Sequence, residues 1–178
     1  MKLLNTLSGI KEDFQPLKNK GVGIFVCGPT VYDYSHIGHA RTYVNFDVIV
    51  KYLRYSGYEV KYIVNITDID DKIINRSKEE NKDWKQISEI YEAEFIKDVK
   101  ALGIDSVDSY ARATEHIPEI INQVERLMEK GVAYKIQDGI YFDISRFEDY
   151  GKLAKRTVDQ AEDGVSRIDE SVNKRNKG

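Results

Sequence analysis

An α/β fold built on a parallel sheet is predicted by three observations. Residues 22–26 (Val-Gly-Ile-Phe-Val) form a short, nearly all-apolar, β-favouring run of the kind a buried parallel strand uses. From about Gly38 to Ser56 the apolar residues recur at helical spacing, with Tyr43, Phe46, Val50 and Leu53 on one face. Tyr58 to Val64 then alternates, setting Val60, Tyr62 and Val64 opposite Glu59 and Lys61. Strand, helix, strand in that order is a βαβ crossover, which is nearly always right-handed. Ligands of such sheets sit beyond the carboxyl ends of the strands, and residues 27–39 would lie there.

Taken in order, each further element has its own signal. Ile49 and Tyr52 widen the apolar face of the first helix, which predicts a well-buried helix, and Gly57 is its natural stop. Asp83-Trp84-Lys85-Gln86 reads as a capping box, opening a helix with Trp84, Ile87, Tyr91, Phe95, Val99 and Leu102 at spacings of three and four. Gly103 closes it. Another helix is predicted from about His116 to Lys130, with Ile117, Ile120, Ile121, Val124, Leu127 and Met128 inward and Gly131 as the stop. Val132 to Ile136 and Gly139 to Ile144 then read as a hairpin around Gln137-Asp138-Gly139. The change of character places a domain boundary near residue 131, with a nucleotide-binding α/β domain over 1–131 and the start of an inserted β-rich module over 132–178. From Asp159 onward the chain is polar and without a clear period.

Bulk properties narrow the class. The 178 residues suffice for one good core, or for one domain and the start of another. No apolar run approaches the roughly 20 residues of a membrane helix, so no membrane partner is expected. The N-terminus lacks signal-peptide character, and a single cysteine makes no internal disulfide, which together predict a cytoplasmic protein. A net charge of −3 argues against a small module that binds nucleic acid by bulk electrostatics, though not against an enzyme that touches RNA with one face.

Chemistry concentrates in residues 27–41, which hold the only cysteine, Cys27, and two of the three histidines, His36 and His39. In a βαβ unit His36-Ile37-Gly38-His39 falls where strand hands over to helix, with free N–H groups and the positive helix end facing a ligand. Imidazoles there can donate to phosphate oxygens and stabilise charge that develops during displacement at phosphorus. Gly38 would let the backbone approach that ligand. Read alone, the same histidines could be surface residues or metal ligands, and Cys27 could be an inert strand-end thiol. Thr67-Asp68-Ile69-Asp70-Asp71-Lys72 carries three carboxylates in four positions, but Lys72 and Ile73 break the EF-hand pattern. Its plainer reading has Thr67 or Asp68 capping a helix with an acidic first turn. Arg41 could reach phosphate or RNA, or form a surface ion pair. Trp84 fits the helix stripe as core, and His116 fits an exposed or capping position.

These blocks in order, Cys27-Gly-Pro-Thr-Val-Tyr-Asp, His36-Ile-Gly-His-Ala-Arg-Thr, Phe46-Asp47, Asn65-Ile-Thr-Asp-Ile-Asp-Asp-Lys72, Arg112-Ala-Thr-Glu-His-Ile117 and Gly131-Val-Ala-Tyr134, resemble the N-terminal catalytic half of cysteinyl-tRNA synthetase. That is a class I aminoacyl-tRNA synthetase with a Rossmann-type core. The resemblance persists weakly to Lys174-Arg175-Asn176. It implies that His36, Gly38 and His39 bind ATP, supplied with Mg, and that His36 and His39 act in adenylate formation. It also implies that Gly28, Thr30 and Thr67 line the pocket for L-cysteine, and that Cys27 is the first of four zinc ligands. A soft Zn–S bond selects sulfur over oxygen where size alone separates cysteine from serine poorly. For Asp68, Asp70 and Asp71, pocket and capping roles both stay open. The implied partners are ATP, L-cysteine and tRNA(Cys).

Against the family pattern, the other zinc ligands, the lysine-rich second ATP signature, the second half of the core and the anticodon-binding domain have no counterpart in this sequence. The expectation is therefore a fragment of a cysteine-tRNA ligase that is itself inactive in aminoacylation. Two rival readings are a cysteine ligase of mycothiol synthesis, disfavoured by Val31 and Arg41, and a non-catalytic half-synthetase that binds a nucleotide or a partner.

Overall fold

The computed structural model describes residues 1–155, so the polar stretch from Asp159 and the weak resemblance at Lys174-Arg175-Asn176 lie outside the described residues. The chain divides into two compact units, Gln15–Ile117 on the one hand, and Met1–Phe14 with the residues from Pro118 on the other.

The unit Gln15–Ile117 is the predicted α/β structure. Strand β3 (Gly21–Val26) runs parallel to β4 (Glu59–Ile66), and β4 runs parallel to β5 (Ser109–Arg112), in the order β3-β4-β5. Helix α1 (Ile37–Tyr55) makes the first crossover, and α2 (Asp71–Glu80) with α3 (Trp84–Ala101) makes the second. β4 is central, so Tyr62, Val64 and Ile66 are wholly buried. β3 has a neighbour on one side only among the described strands. Of its residues Val26 alone is buried, and the Phe25 side chain stands 67% exposed where the sequence predicted a buried strand. The short β5 escaped sequence reading because Ser-Tyr-Ala-Arg carries no apolar alternation.

Helix α1 buries Tyr43, Asp47, Val50 and Leu53, a single stripe at spacings of three and four. Ile49 and Tyr52 are exposed, contrary to the prediction that they widen the apolar face of a well-buried helix. Each precedes a buried position by one residue, and one residue turns the helix by about 100°, off the line of contact. Helix α3 keeps its predicted stripe, with Ile87, Tyr91, Phe95 and Val99 buried; each such side chain contributes about 1.5–3 kcal/mol. Its predicted capping box is present, Asp83 accepting from Lys85 N at 2.8 Å and Gln86 returning to Asp83 N. Leu102, the last position of the predicted stripe, caps the helix and is exposed.

In the other unit, β1 (Lys2–Leu4) and β2 (Lys11–Asp13) pair antiparallel, as do β6 (Ala133–Ile136) and β7 (Gly139–Phe142). The second pair is the predicted hairpin, with Ile136 opposite Gly139 across Gln137-Asp138. Helix α4 (Ile117–Glu129) follows a 3-10 turn over Ala113–His116. None of its residues is buried: Val124, Leu127 and Met128 are half-buried, while Ile117, Ile120 and Ile121 of the predicted inward face are exposed. No helix among the described residues is long and apolar enough to cross a membrane.

Candidate active site

The turn from β3 into α1 builds the first wall within four residues. His36 is the N-cap, with extended backbone, and its Nδ1 accepts from Gly38 N at 3.0 Å. His39 Nδ1 accepts in return from His36 N at 3.3 Å. This is a capping box in which imidazoles replace the usual hydroxyl and carboxyl groups. The two rings stack with centroids 3.9 Å apart and planes inclined by 23°. A β-carbon at Gly38 would lie 2.7 Å from His36 Cε1, so the glycine makes room for the ring that caps its own N–H. Because each Nδ1 accepts, the neutral ring carries its proton on Nε2, the nitrogen left over for a ligand. Burial, and then the neighbouring His36, lower the pKa of His39, which favours that neutral form. A cavity of about 280 Å³ opens beside the rings, lined by Ser35, Tyr43, Phe95 and Asp98 among others. Arg41 is exposed and has no ion pair with any described residue.

The second wall, whose residues do not line that cavity, joins segments far apart in sequence. Past the end of β3, residues 27–31 run beside the end of β4: Thr67 N donates to Pro29 O at 3.0 Å, Val31 N donates to Thr67 O at 3.2 Å, and Thr30 and Thr67 form a parallel bridge. Gly28 N donates to Asn65 Oδ1 at 2.7 Å. A β-carbon on Gly28 would sit 1.5 Å from Asn65 O, so this position must be glycine to let the two backbones touch. Gly28, Thr30 and Thr67, predicted together, are thus brought together. Cys27 is exposed rather than a buried inert thiol, and its carbonyl accepts from Tyr43 Oη at 3.3 Å.

The three carboxylates separate by role. Asp70 is the cap of α2, accepting from Lys72 N at 2.9 Å, where the sequence pointed to Thr67 or Asp68. Asp71 lies in the acidic first turn. Asp68 is buried; it accepts from Thr114 N at 3.0 Å and from the Thr114 hydroxyl, tying the loop after β4 to the turn after β5. Arg112, at the end of β5, is held by Glu92 with Nε to Oε1 and Oε2 distances of 2.9 and 3.1 Å. Sequence reasoning missed Asn65 and Thr114 as site-building residues. An Asn at a strand end two residues before a Thr was the available signal for the first; a contact 46 residues away left none for the second.

Zinc finds no set of ligands among the described residues. No group of three or more His, Cys, Asp or Glu converges there, and Cys27 offers one thiol. The histidines are committed through Nδ1 to the helix cap.

The family model described as the tRNA synthetases class I (C) catalytic domain matches residues 13–178. The chain belongs to this family. A Cysteine--tRNA ligase of Thermodesulfovibrio yellowstonii is 52% identical over 169 residues, covering 93% of this chain and 35% of that protein. One from Methanococcus maripaludis is 48% identical over 176 residues, covering 99% of this chain and 37% of that protein. The chain therefore spans little more than a third of the length of these curated relatives. Among solved structures, a Mycobacterium tuberculosis methionyl-tRNA synthetase in complex with methionyl-adenylate superposes with a TM-score of 0.58 at 21% identity, over 64% of this chain and 22% of that one. That likeness carries the fold, a class I synthetase α/β sheet. Both walls of the site fall inside the family match.

Proposed function

We propose that this chain forms the N-terminal part of the catalytic domain of a cysteine-tRNA ligase. The observation that carries the reading is identity of about half, over nearly the whole chain, to relatives of that name. In the reaction, a carboxylate oxygen of L-cysteine attacks the α-phosphorus of ATP, supplied as its Mg complex. An O–P bond forms, the bond to the β-phosphate bridging oxygen breaks, and pyrophosphate leaves. The cysteinyl group then passes from AMP to a hydroxyl at the 3′ end of tRNA(Cys).

The Nε2–H groups of His36 and His39, aimed by their Nδ1 anchors, donate to phosphate oxygens as negative charge builds on them. The N-terminus of α1, capped by His36 and beginning at Ile37, adds its positive end to the same charge. Gly28, Thr30 and Thr67 line the amino-acid side. Cys27 adds an accessible thiol there, the one zinc ligand that the resemblance assigns to these residues; a bound zinc would supply a soft site for the substrate thiol. The domain division at residue 131 and a cytoplasmic location belong to the same proposal.

The test is L-cysteine-dependent exchange of labelled pyrophosphate into ATP, using the product of the complete reading frame that contains these residues. Exchange with cysteine and not with serine is expected. ATP binding without any exchange would overturn the ligase reading in favour of a nucleotide-binding module.

A further inference from the structure

Asn65 lies on β4, one residue from its end, and its side chain reaches both neighbours that matter. The Gly28 backbone N–H can only donate, so the amide oxygen must face it, at 2.7 Å. That settles the other end: the amide nitrogen faces Thr67 Oγ1 at 3.2 Å and donates to it. The Thr67 hydroxyl therefore spends a lone pair on Asn65 and keeps its proton. No described residue accepts that proton, while both backbone polar groups of Thr67 are already bonded, N to Pro29 and O to Val31. The result is a half-buried hydroxyl that accepts from Asn65 and whose proton meets no acceptor among the described residues.

We propose that Asn65 is a positioning residue: it ties Gly28 to Thr67 and holds the Thr67 hydroxyl as a hydrogen-bond donor for an acceptor oxygen of the amino-acid substrate. This rests on the ligase reading above for the identity of that substrate. The bridge does two things with one amide. It fixes the spacing of two backbone segments 37 residues apart, and it sets the direction of a hydrogen bond. An aspartate would keep the first function and reverse the second. Its carboxylate oxygens accept at both ends, so Gly28 stays bonded while the Thr67 proton turns inward and is lost to the substrate.

The experiment compares Asn65→Asp, Thr67→Val and the double variant in cysteine-dependent pyrophosphate exchange, on the product of the complete reading frame. Losing one donor to a charged acceptor should raise the KM for L-cysteine about tenfold or more, with the KM for ATP and the melting temperature little changed. The double variant should be no worse than Thr67→Val alone, because both changes remove the same donated proton. An unchanged cysteine KM in Asn65→Asp, effects that multiply in the double variant, or equal rises for both substrates would each overturn the proposal. If Asn65→Asp does not fold, Thr67→Val decides alone, and an unchanged cysteine KM overturns it. Hydrogen exchange reads the bridge without activity: the Gly28 amide should exchange slowly in the unmutated protein and in Asn65→Asp, and quickly in Asn65→Ala. Fast exchange in the unmutated protein removes the bridge. Protected Gly28 with no cysteine-dependent exchange in the unmutated protein instead overturns the ligase reading, and with it the substrate assigned to Thr67.

Discussion

The histidine wall and the glycine–threonine wall reach the same end, a fixed set of donors at the carboxyl edge of a sheet, by opposite routes. The first is local. His36, Gly38 and His39 close their hydrogen bonds within one helical turn, and the capped helix is itself the scaffold. The second is remote. Gly28, Asn65 and Thr67 meet only after β3 and β4 have aligned in parallel, with Gly28 and Asn65 37 positions apart in sequence. A local wall can change side chains at little cost to the fold, whereas a remote wall is part of the fold.

The largest effect should come from the remote wall. Gly28→Ala places a β-carbon 1.5 Å from the Asn65 carbonyl oxygen and 2.7 Å from its carbon, backbone atoms that cannot swing aside as a side chain can. We expect a loss of about 4 kcal/mol or more, the range reserved for gross core and backbone clashes, measured by urea unfolding. A variant that melts like the unmutated protein would show that the close approach of these two segments is not required.

Next in size is the local wall. His39→Ala should slow cysteinyl-adenylate formation by about 2–4 kcal/mol of barrier, the scale for one lost transition-state donor. It should cost the fold only about 1 kcal/mol, the scale of a cap. Single-turnover kinetics and a thermal melt on the same preparation separate the two quantities. Equal catalytic and folding losses would dissolve the contrast between the walls.

The smallest effect is a pH dependence. His39 has its pKa lowered on folding, first by burial and then by the His36 ring, so below the ordinary histidine range of about 6.5 the unfolded chain binds the greater share of protons. This contribution to stability is complete above that range and declines as the pH falls through it. Protonation also removes the Nδ1 acceptor that closes the cap on His36 N. The melting temperature should therefore drop more steeply on acidification in the unmutated protein than in His39→Ala. Identical slopes would mean that the cap tolerates a charged ring.

How much of this could be read beforehand follows the same division. The start of α3 is legible because its cap and partner, Asp83 and Gln86, sit three residues apart. The histidine pair is legible for the same reason, although its capping geometry is not: the sequence suggests that Gly38 makes room for a ligand, whereas it makes room for the His36 ring. The carboxylate run shows the limit. Asp68, Asp70 and Asp71 look alike in sequence, yet one is buried against Thr114, one caps α2 and one sits in its first turn. Composition cannot separate them, because what differs is the partner.

Burial shows the limit from the other side. The Phe25 and Ile49 side chains satisfy every apolar pattern and still face outward, since a pattern marks which residues can be buried and the neighbours decide which are. The sequence by itself determined the β3-α1-β4 crossover, the cap of α3, the β6-β7 hairpin and the placing of two histidines at one helix start, all set by patterns within about one element or one turn. Only the tertiary structure decided that Asn65 spans Gly28 and Thr67, that Asp68 holds Thr114, and that Gly28 admits no β-carbon. Those facts depend on two or more segments arriving at the same place, and the pairing of parallel strands, not the spacing of residues, brings them there.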